Sequence, residues 1–391
     1  MSFTSYPKYK ASGVEWLGEV PEGWETAQLR HFVDIENGKD YKQVEQSEGF
    51  PVYGSGGVFA YASDFLYNGE SVLLGRKGTI DKPLYVNGPF WTVDTMYWTR
   101  IRPHTSGKYV YYAATTFPFD LYSTSTALPS MTKGVLSGHV MARPPLPEQT
   151  AIAEFLDRET GKIDELVAEQ RRLMDLLKEK ITSLVLSSVD LPSTQRLRFG
   201  DAASIISRPV LQQEEESYTR IGLFNRGRGL FHKDASEMDD MGESDFFWIE
   251  EGDLIISGQF AWEGAVALAG KADTGCVVSH RYPVLRGVPG IALTEYLFGL
   301  LCTNHGDFLL NENSRGAAGR NRPLNIRYLM KETIPVPSIQ IQETVARAIH
   351  SRAVLFQEIS NAIDLLQERR TALISAAVTG KIDVRNYTPS S

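Results

Sequence analysis

Two stretches of the chain place apolar residues three, four or seven positions apart, with Glu, Lys, Arg and Gln between them. That spacing is typical of a long helix with one apolar stripe. Each stretch follows a Pro-containing, strand-like segment, MARPP before the first and ETIPVP before the second. The pattern predicts long amphipathic helices at 146–190 and 337–384. The stripe residues are Ile152, Leu156, Ile163, Leu166, Leu173, Leu177, Ile181 and Leu184 in the first helix, and Val345, Ile349, Phe356, Ile359, Ile363, Leu366, Leu373 and Ile374 in the second.

The two helical stretches are copies of one another. Gln149 aligns with Gln342 at an offset of 193, which also aligns Leu136 with Leu329. Farther on, LLKEKITSLVLSSV matches LLQERRTALISAAV at an offset of 189, so the second copy is shorter by about one helical turn. An antiparallel pair is the simplest way for the two stripes to bury each other. A parallel homodimeric coiled coil is the alternative.

The segments before the helices have a different composition, rich in Gly, Tyr, Phe, Trp and Thr. Each contains short strand-like runs, such as ESVLLG at 70–75 and GDLIISG at 252–258. We therefore predict an α+β fold with a pseudo-two-fold internal repeat, in which two globular α/β domains are separated by two long helices forming an antiparallel coiled coil. The predicted division is 1–145 for the first domain, 146–190 for the central helix, 191–336 for the second domain, 337–384 for the C-terminal helix and 385–391 for a tail.

Composition narrows the class of protein. The chain is 42% hydrophobic and 23% charged, as is usual for a globular protein. No apolar run approaches the roughly 20 residues of a membrane helix, and the opening MSFTSYPKYK lacks the apolar stretch of a signal peptide. Cys276 and Cys302 are too few for a disulfide framework. We expect a cytoplasmic protein.

The charge distribution bears on nucleic-acid binding. A net charge of −8 argues against a generic nucleic-acid binder, whose domain is usually basic. However, the windows 95–119, 121–147, 217–233 and 313–331 contain no Asp or Glu. Such windows can contact phosphate while the rest of the surface stays acidic. Chance clustering in surface loops is the alternative for any single window.

Motifs for catalysis are missing from the sequence. It has no P-loop and no Asn/Asp-Pro-Pro-aromatic motif of the adenine methyltransferases. The seven histidines show no i,i+4 pair and no neighbouring Cys at metal-ligand spacing. YGSGG at Tyr53–Gly57 predicts a tight turn, since no helix pattern follows it. We expect a non-catalytic chain, with an enzyme of unrecognised active site as the alternative.

Three segments resemble the specificity subunits of type I restriction–modification enzymes. YPKYKASGVEWLGEVPEGWE (Tyr6–Glu25) is similar to the family's opening, PPLPEQTAIAEFLD to the start of its central conserved helix, and LISAAVTGKIDVR (Leu373–Arg385) to its C-terminal close. The resemblance covers nearly the whole chain. The second helix departs from the pattern because PSIQIQ replaces PLPEQ, which leaves the start of that helix open.

The resemblance implies two target recognition domains held apart by antiparallel conserved helices. Each domain would read one half of a bipartite, asymmetric site in double-stranded DNA. The helices would set the unread spacer and dock two modification (methyltransferase) subunits, to which restriction (motor–nuclease) subunits are added. No cofactor is expected on this chain; S-adenosylmethionine, ATP and Mg²⁺ are expected on the partner subunits. A non-enzymatic adaptor whose domains bind protein is the alternative.

Candidate DNA-binding residues of the second domain rest on side-chain chemistry. Arg can contact guanine with two hydrogen bonds and Asn can do so with adenine, while Gly and Ala let the backbone approach a groove. The candidates come from RIGLFNRGRG, VSHRY and NSRGAAGRNRPLN, and from the residue after LIISG. They are Arg220, Arg226, Arg228, His280, Arg281, Arg315, Arg320, Asn321, Arg322 and Gln259. A solvated or salt-bridged surface charge is the alternative for each arginine.

In the first domain, STSTALPSMTK (123–133) takes the place of the Arg-rich loop, since Leu136 aligns with Leu329. GRKG (75–78) presents two cations on a glycine-flanked turn after a strand. The candidates are Arg76, Lys77, Thr124, Ser125, Thr126 and Lys133, and Tyr53 and Ser55 from YGSGG. The aromatic segment FWTVDTMYW (Phe90–Trp98) is expected in the core.

Overall fold

A computed structural model describes residues 4–123, 129–211, 217–237, 244–316, 322–385 and 387. The chain divides into two compact units. The first comprises Met1–Glu169 and Ala362–Ser391, and the second comprises Gln170–Asn361. Both long helices therefore contribute to both units. The five-part domain division stays a prediction.

The first unit carries eleven strands and three short helices among its described residues, followed by the first long helix. Its strands are β1 (Tyr9–Ala11), β2 (Glu19–Pro21), β3 (Glu25–Gln28), β4 (Val33–Asn37), β5 (Glu45–Gln46), β6 (Phe50–Gly54), β7 (Gly57–Ala62), β8 (Tyr67–Gly75), β9 (Leu84–Thr92), β10 (Met96–Ile101) and β11 (Val140–Arg143). Its helices are α1 (Gly107–Ala114), α2 (Phe119–Tyr122), α3 (Lys133–Gly138) and α4 (Leu146–Val189), which continues into the second unit.

One seven-stranded sheet, in the order β4-β10-β8-β9-β6-β7-β5, dominates the first unit. All neighbours are antiparallel except β6 and β9. β3 pairs with β11 immediately before α4. The aromatic segment predicted in the core is buried there, since Phe90, Trp91, Tyr97 and Trp98 are each less than 10% exposed. That prediction is confirmed.

The second unit carries shorter strands around a smaller sheet. Its strands are β12 (Gln195–Arg198), β13 (Ala203–Ile206), β14 (Ser217–Tyr218), β15 (Ile221–Leu223), β16 (Leu230–His232), β17 (Ser236–Glu237), β18 (Phe246–Trp248), β19 (Leu254–Ile256), β20 (Val266–Leu268), β21 (Val277–Ser279), β22 (Val284–Gly287) and β23 (Thr333–Val336). Its helices are α5 (Phe199–Ala202), α6 (Thr294–Leu301), α7 (Asn304–Glu312), α8 (Ile326–Leu329) and α9 (Ile339–Val378), which continues into the first unit.

The sheets show the internal repeat more clearly than the sequence does. The four-stranded sheet β13-β22-β19-β20 has the same strand order and the same antiparallel neighbours as β4-β10-β8-β9. β12 pairs with β23 before α9, as β3 pairs with β11 before α4. The predicted α+β fold of two related domains with two long helices is confirmed.

Within the first unit, α4 and α9 run antiparallel. The Arg370 guanidinium on α9 bonds the Asp164 carboxylate on α4, with Nε 2.9 Å from Oδ1. The Tyr109 hydroxyl lies 2.8 Å from the Ala142 carbonyl, before α4, and 3.3 Å from the Val378 carbonyl, at the end of α9. Later positions on α9 therefore meet earlier positions on α4.

The helices are also antiparallel within the second unit. The Lys178 ammonium lies 5.8 Å from the centroid of the Phe356 ring, and Val185 packs near Val345 beside Gly299. Burial of the stripes is concentrated at the helix ends. Two predicted stripe residues near the middle of α4 are instead exposed, Leu166 at 46% and Leu173 at 43%.

Equivalent glutamines fix the start of each long helix. The Gln149 amide accepts from the Ser106 backbone N–H (3.0 Å) and donates to the Pro144 carbonyl (2.9 Å). The Gln342 amide accepts from the Leu293 N–H (2.7 Å) and donates to the carbonyls of Ile291 and Pro337, at 3.0 and 2.8 Å. Despite PSIQIQ, the second helix begins at Ile339 with the same clamp.

The segments at the two ends of the chain meet on Glu148. The Tyr6 hydroxyl and the Trp24 indole N–H both donate to Glu148 Oε2, at 3.0 and 2.9 Å. The Arg385 guanidinium lies 4.7 Å from the centroid of the Tyr6 ring, and the Asp383 backbone N–H donates to the Thr4 carbonyl. The opening segment, the first helix start and the C-terminal close thus form one packed cluster.

A buried histidine makes the first unit sensitive to acid. His139 is 4% exposed, packs against Phe117 and Trp16, and shares a hydrogen bond with the Tyr122 hydroxyl. Burial lowers the pKa of His139 from 6.5 to about 4. Because the unfolded chain binds the proton more tightly, this group's stabilising contribution is complete above pH 6.5 and falls as the pH drops toward 4.

From pH 7 to pH 5 this linkage should cost the first unit about 2 kcal/mol of unfolding free energy. The His139→Phe variant should lack that component while keeping an aromatic ring against Phe117. Urea unfolding followed by tryptophan fluorescence at both pH values measures the difference. An equal loss in parent and variant would show that His139 is not the responsible group.

Candidate nucleic-acid interface

Three loops of the first domain meet where the central strand β8 ends. The Arg76 N–H donates to the Thr95 carbonyl (2.9 Å), and the Arg76 carbonyl accepts from the Met131 N–H (3.0 Å). Lys77 forms a backbone bridge with Ser130. The predicted GRKG turn therefore lies between Thr95 and the described end of the predicted 123–133 loop and contacts both.

The second domain makes the same junction at the end of β19. The Gly258 N–H donates to the Arg281 carbonyl (2.7 Å), and the Gly258 carbonyl accepts from the Leu324 N–H (2.8 Å). A Cβ atom on residue 258 would lie 2.4 Å from the Arg281 carbonyl oxygen, so only glycine fits. Gly258 thus corresponds to Arg76, and Arg281 to Thr95.

The offset confirms this correspondence. Leu324 follows Met131 by 193 residues, the offset that relates the helix starts. The next residue in each copy caps a short helix: the Thr132 side chain accepts from the Val135 N–H, and the Asn325 side chain accepts from the Tyr328 N–H. We call these two junctions the three-loop edges; each consists of the loops around 75–78, 94–95 and 129–133, or around 257–262, 279–282 and 322–325.

Polar side chains project from both edges. Lys77, Thr95 and Lys133 are exposed on the first edge. Lys133 lies 3.9 Å from the Glu36 carboxylate. The half-buried Arg76 is held more firmly, because its guanidinium donates to the Asp94 carbonyl and lies 5.9 Å from the Tyr97 ring centroid. The Arg76 guanidinium is therefore held against the first edge, whereas the exposed side chains project from it.

On the second edge, Gln259, His280, Arg281 and Arg322 are exposed. The Arg322 guanidinium lies 5.2 Å from the Trp262 ring centroid. The Trp262 indole N–H donates to the Gln259 carbonyl at 3.2 Å. Three of the predicted segments, VSHRY, the residue after LIISG and the described part of the Arg-rich loop, converge on this edge.

A cleft of about 800 Å³ lies beside Trp262 and carries charges of both signs. Its cations include the predicted Arg226 and Arg228, but Glu263 and Asp307 lie among them. Burial raises the pKa of the Asp307 carboxyl, and Arg226 opposes that shift. The two acids partly offset the positive charge of the three cations that line the cleft. The lining residues are Lys178, Asn225, Arg226, Arg228, Trp262, Glu263, Asp307 and Asn311.

Other predicted residues lie away from the edges. The Arg220 guanidinium donates to the Ser236 hydroxyl (3.2 Å), and Arg315 pairs with Glu312 at 2.7 Å while remaining 81% exposed. Tyr53 and Ser55 stand at the turn between β6 and β7, where the Tyr53 ring packs edge-on against Phe90. The predicted residues that lie outside the described ranges are Thr124, Ser125, Thr126, Arg320 and Asn321.

Sequence reasoning missed two residues of the edges. Thr95 opens one of the acid-free windows, which was a usable signal, but its role depends on a backbone contact with Arg76. Trp262 contacts both Gln259 and Arg322, and no sequence motif marks it.

Side chains do not form a metal cluster anywhere in the described ranges, where no group of three or more His, Cys, Asp and Glu residues could hold an ion. None of the helices in these ranges is long and apolar enough to cross a bilayer.

Part of the chain matches a known protein family. Residues 21–171 match the family described as "Type I restriction modification DNA specificity domain". The resemblance to type I specificity subunits is thereby confirmed. The second domain repeats the strand order and the three-loop edge of the first.

One curated protein and a solved structure that resemble this chain are also type I specificity subunits. The type I restriction enzyme EcoprrI specificity subunit of Escherichia coli is 24% identical over 118 residues, which covers 30% of this chain and 29% of that protein. The M. genitalium type I restriction–modification S subunit superposes with a TM-score of 0.54 at 14% identity, covering 94% of this chain and 99% of that one.

A second solved structure, entitled "Structural basis underlying complex assembly and conformational transition of the type I R-M system", superposes with a TM-score of 0.59 at 14% identity. The match covers 93% of this chain and 99% of that chain. At this identity the two superpositions show a shared fold.

Proposed function

We propose that the chain is the DNA sequence-recognition subunit of a type I restriction–modification complex and catalyses no step itself. Each specificity domain would read one half of a bipartite, asymmetric site. The observation that carries the proposal is the duplicated three-loop edge: one fold presents exposed polar and basic side chains at the same strand end in both copies. Sequence is read by such side chains in the grooves, while phosphate contacts position them.

The long helices suit a spacer and a scaffold. Each is continuous, at 44 and 40 residues, and a helix rises by about 1.5 Å per residue. A rod of fixed length would leave a fixed number of base pairs unread between the half-sites. S-adenosylmethionine, ATP and Mg²⁺ would belong to the methyltransferase and restriction subunits, and no cofactor to this chain.

Exposed apolar side chains on the helices support docking of the methyltransferase subunits. Within the second unit, Leu173, Leu176 and Val354 are 43%, 51% and 61% exposed. Removing exposed apolar side chains from water favours association with a partner surface. The same surface would serve an adaptor that binds only protein, which is the alternative function.

A Leu173→Asp, Leu176→Asp double variant should weaken association with the methyltransferase subunits by about 100-fold, since two buried apolar contacts would become desolvated charges. The matched control is Gln340→Asp, at another exposed position of the helices. Calorimetric titration of purified subunits measures both affinities. Equal affinities in the double variant and the control would place the docking surface elsewhere.

The salt dependence of DNA association separates the two functions. For the assembled chain and methyltransferase subunits, the logarithm of the affinity for DNA should fall linearly with the logarithm of salt concentration, with a slope of about −0.9 per phosphate contacted. Specific duplex should also be bound at least about 1,000-fold more tightly than random duplex. Weak, salt-insensitive association without sequence preference would favour the adaptor.

A further inference from the structure

Lys77 and Gln259 occupy equivalent positions in the two specificity domains. Each immediately follows the residue whose backbone N–H and carbonyl join the three loops, Arg76 in one copy and Gly258 in the other. No sequence identity relates the two positions. Their equivalence rests on two pairs of matching hydrogen bonds, with distances of 2.9 and 3.0 Å in the first copy and 2.7 and 2.8 Å in the second.

The backbone beneath both side chains is fixed on either side. Around Lys77, the Lys77 N–H donates to the Thr95 carbonyl (3.2 Å) and the Gly78 N–H donates to the Pro129 carbonyl (2.9 Å). Around Gln259, its carbonyl accepts from the Trp262 indole (3.2 Å) and the Phe260 N–H donates to the Ser257 hydroxyl (3.1 Å). Each side chain therefore starts from a rigid base.

The side chains of Lys77 and Gln259 are free to contact a ligand. Both residues are exposed, and within the described part of the chain neither side chain has a hydrogen-bond or ion-pair partner. Most cations nearby differ in this respect, since Arg76 bonds the Asp94 carbonyl and Lys133 approaches Glu36. A polar side chain with no partner within the protein keeps its hydrogen-bonding groups free for a ligand.

Their chemistries select different bases. A glutamine amide offers one donor and one acceptor, which match N7 and the N6 amino group of adenine in the major groove. A lysine ammonium offers donors alone, which match O6 and N7 of guanine. Arg281 and Arg322 are exposed on the same edge as Gln259 and would supply positive charge for nearby phosphates.

We propose that Lys77 and Gln259 are equivalent specificity-determining residues. Lys77 reads a G·C pair in the half-site of the first domain, and Gln259 reads an A·T pair in the half-site of the second. The proposal rests on the proposed function, because it assigns bases to a DNA interface. Beyond the proposed function, the proposal names the residue of each copy that distinguishes between bases and the base that it selects.

Reciprocal exchange of the two residues tests the proposal. The full chain, its methyltransferase partner and each variant are expressed in cells, and modified adenines in the DNA are mapped by single-molecule sequencing. Gln259→Lys should shift one position of the second half-site from A·T toward G·C, and Lys77→Gln should shift one position of the first half-site the other way. A good side-chain–base pair discriminates by about 10-fold to 100-fold, so the preference at that position should change by that factor.

Three further variants make the outcome decisive. Gln259→Ala and Lys77→Ala should each relax one position of one half-site and leave the other half-site unchanged. Lys271→Gln, an exposed lysine on the turn after β20, should leave the motif as it is in the parent. If the parent methylates a bipartite motif and the edge variants keep both halves, the inference fails while the proposed function stands.

Loss of all methylation in the four edge variants, with hydrogen exchange unchanged from the parent, would make these residues binding groups that do not discriminate bases, which overturns the inference. A parent chain that directs no motif with an active partner would overturn the proposed function itself.

Discussion

Replacing Gln342 with leucine is expected to lower the local stability of the second unit by about 3 kcal/mol. The side chain is fully buried, and its amide makes three hydrogen bonds at the start of α9. Leucine fills the space but leaves the Leu293 N–H and two carbonyls without this partner. Leaving buried polar groups unpaired costs more than the net value of the hydrogen bonds themselves.

Hydrogen exchange followed by mass spectrometry measures this effect unit by unit. In Gln342→Leu, protection should fall in α6 and in the first turns of α9, and the first unit should be unchanged. Gln149→Leu should give the mirror result, with protection lost at α1 and the start of α4. The control is Gln340→Leu, which changes an exposed glutamine two residues away. Similar protection in Gln342→Leu and the control would show that the clamp contributes little.

The Arg281→Gln, Arg322→Gln double variant is expected to weaken specific DNA binding of the assembled complex by about 100-fold at 0.15 M salt. Both arginines are exposed on the second edge. Under the proposed function both arginines would contact phosphate, so neutralising them should also reduce the salt slope by about 2. Fluorescence anisotropy over a salt series measures the affinity and the slope together.

Two matched variants sharpen this result. Arg226→Gln, Arg228→Gln removes the same charge from the cleft, where Glu263 and Asp307 already offset the cations, so its effect should be smaller. Lys271→Gln, Arg347→Gln removes two exposed cations outside the edge and the cleft, and should leave binding within about 3-fold of the parent. If the Arg226→Gln, Arg228→Gln variant bound DNA more weakly than the Arg281→Gln, Arg322→Gln variant, the DNA interface would lie at the cleft.

The helices were predictable because periodicity and duplication are local signals. The predicted starts at 146 and 337 and ends at 190 and 384 compare with helices of Leu146–Val189 and Ile339–Val378. The stripe was predicted less well. Leu166 and Leu173 keep the apolar spacing but are exposed, because spacing shows which residues share a face and not whether another element covers it.

The edges were predictable only in part. Basic or acid-free loops identified Lys77, Arg281 and Arg322, and the helix offset matched the loop of 123–133 with the Arg-rich loop. The equivalence of Lys77 and Gln259 was not visible as identity, because it is made by backbone hydrogen bonds between segments far apart in sequence. Backbone hydrogen bonds of this kind do not require the same side chain in both copies, since the joining residue is Arg76 in one and Gly258, where a Cβ atom would clash, in the other.

Mapping of modified adenines in cells that express this chain with its methyltransferase partner tests whether the chain directs methylation to a DNA sequence. We expect one bipartite motif with a fixed unread spacer. Exchange of residues 191–336 for the same region of another specificity subunit should change one half of that motif and preserve the other. Active methyltransferase subunits that give no motif, or a motif unchanged by the exchange, would show that this chain is not the sequence-recognition subunit.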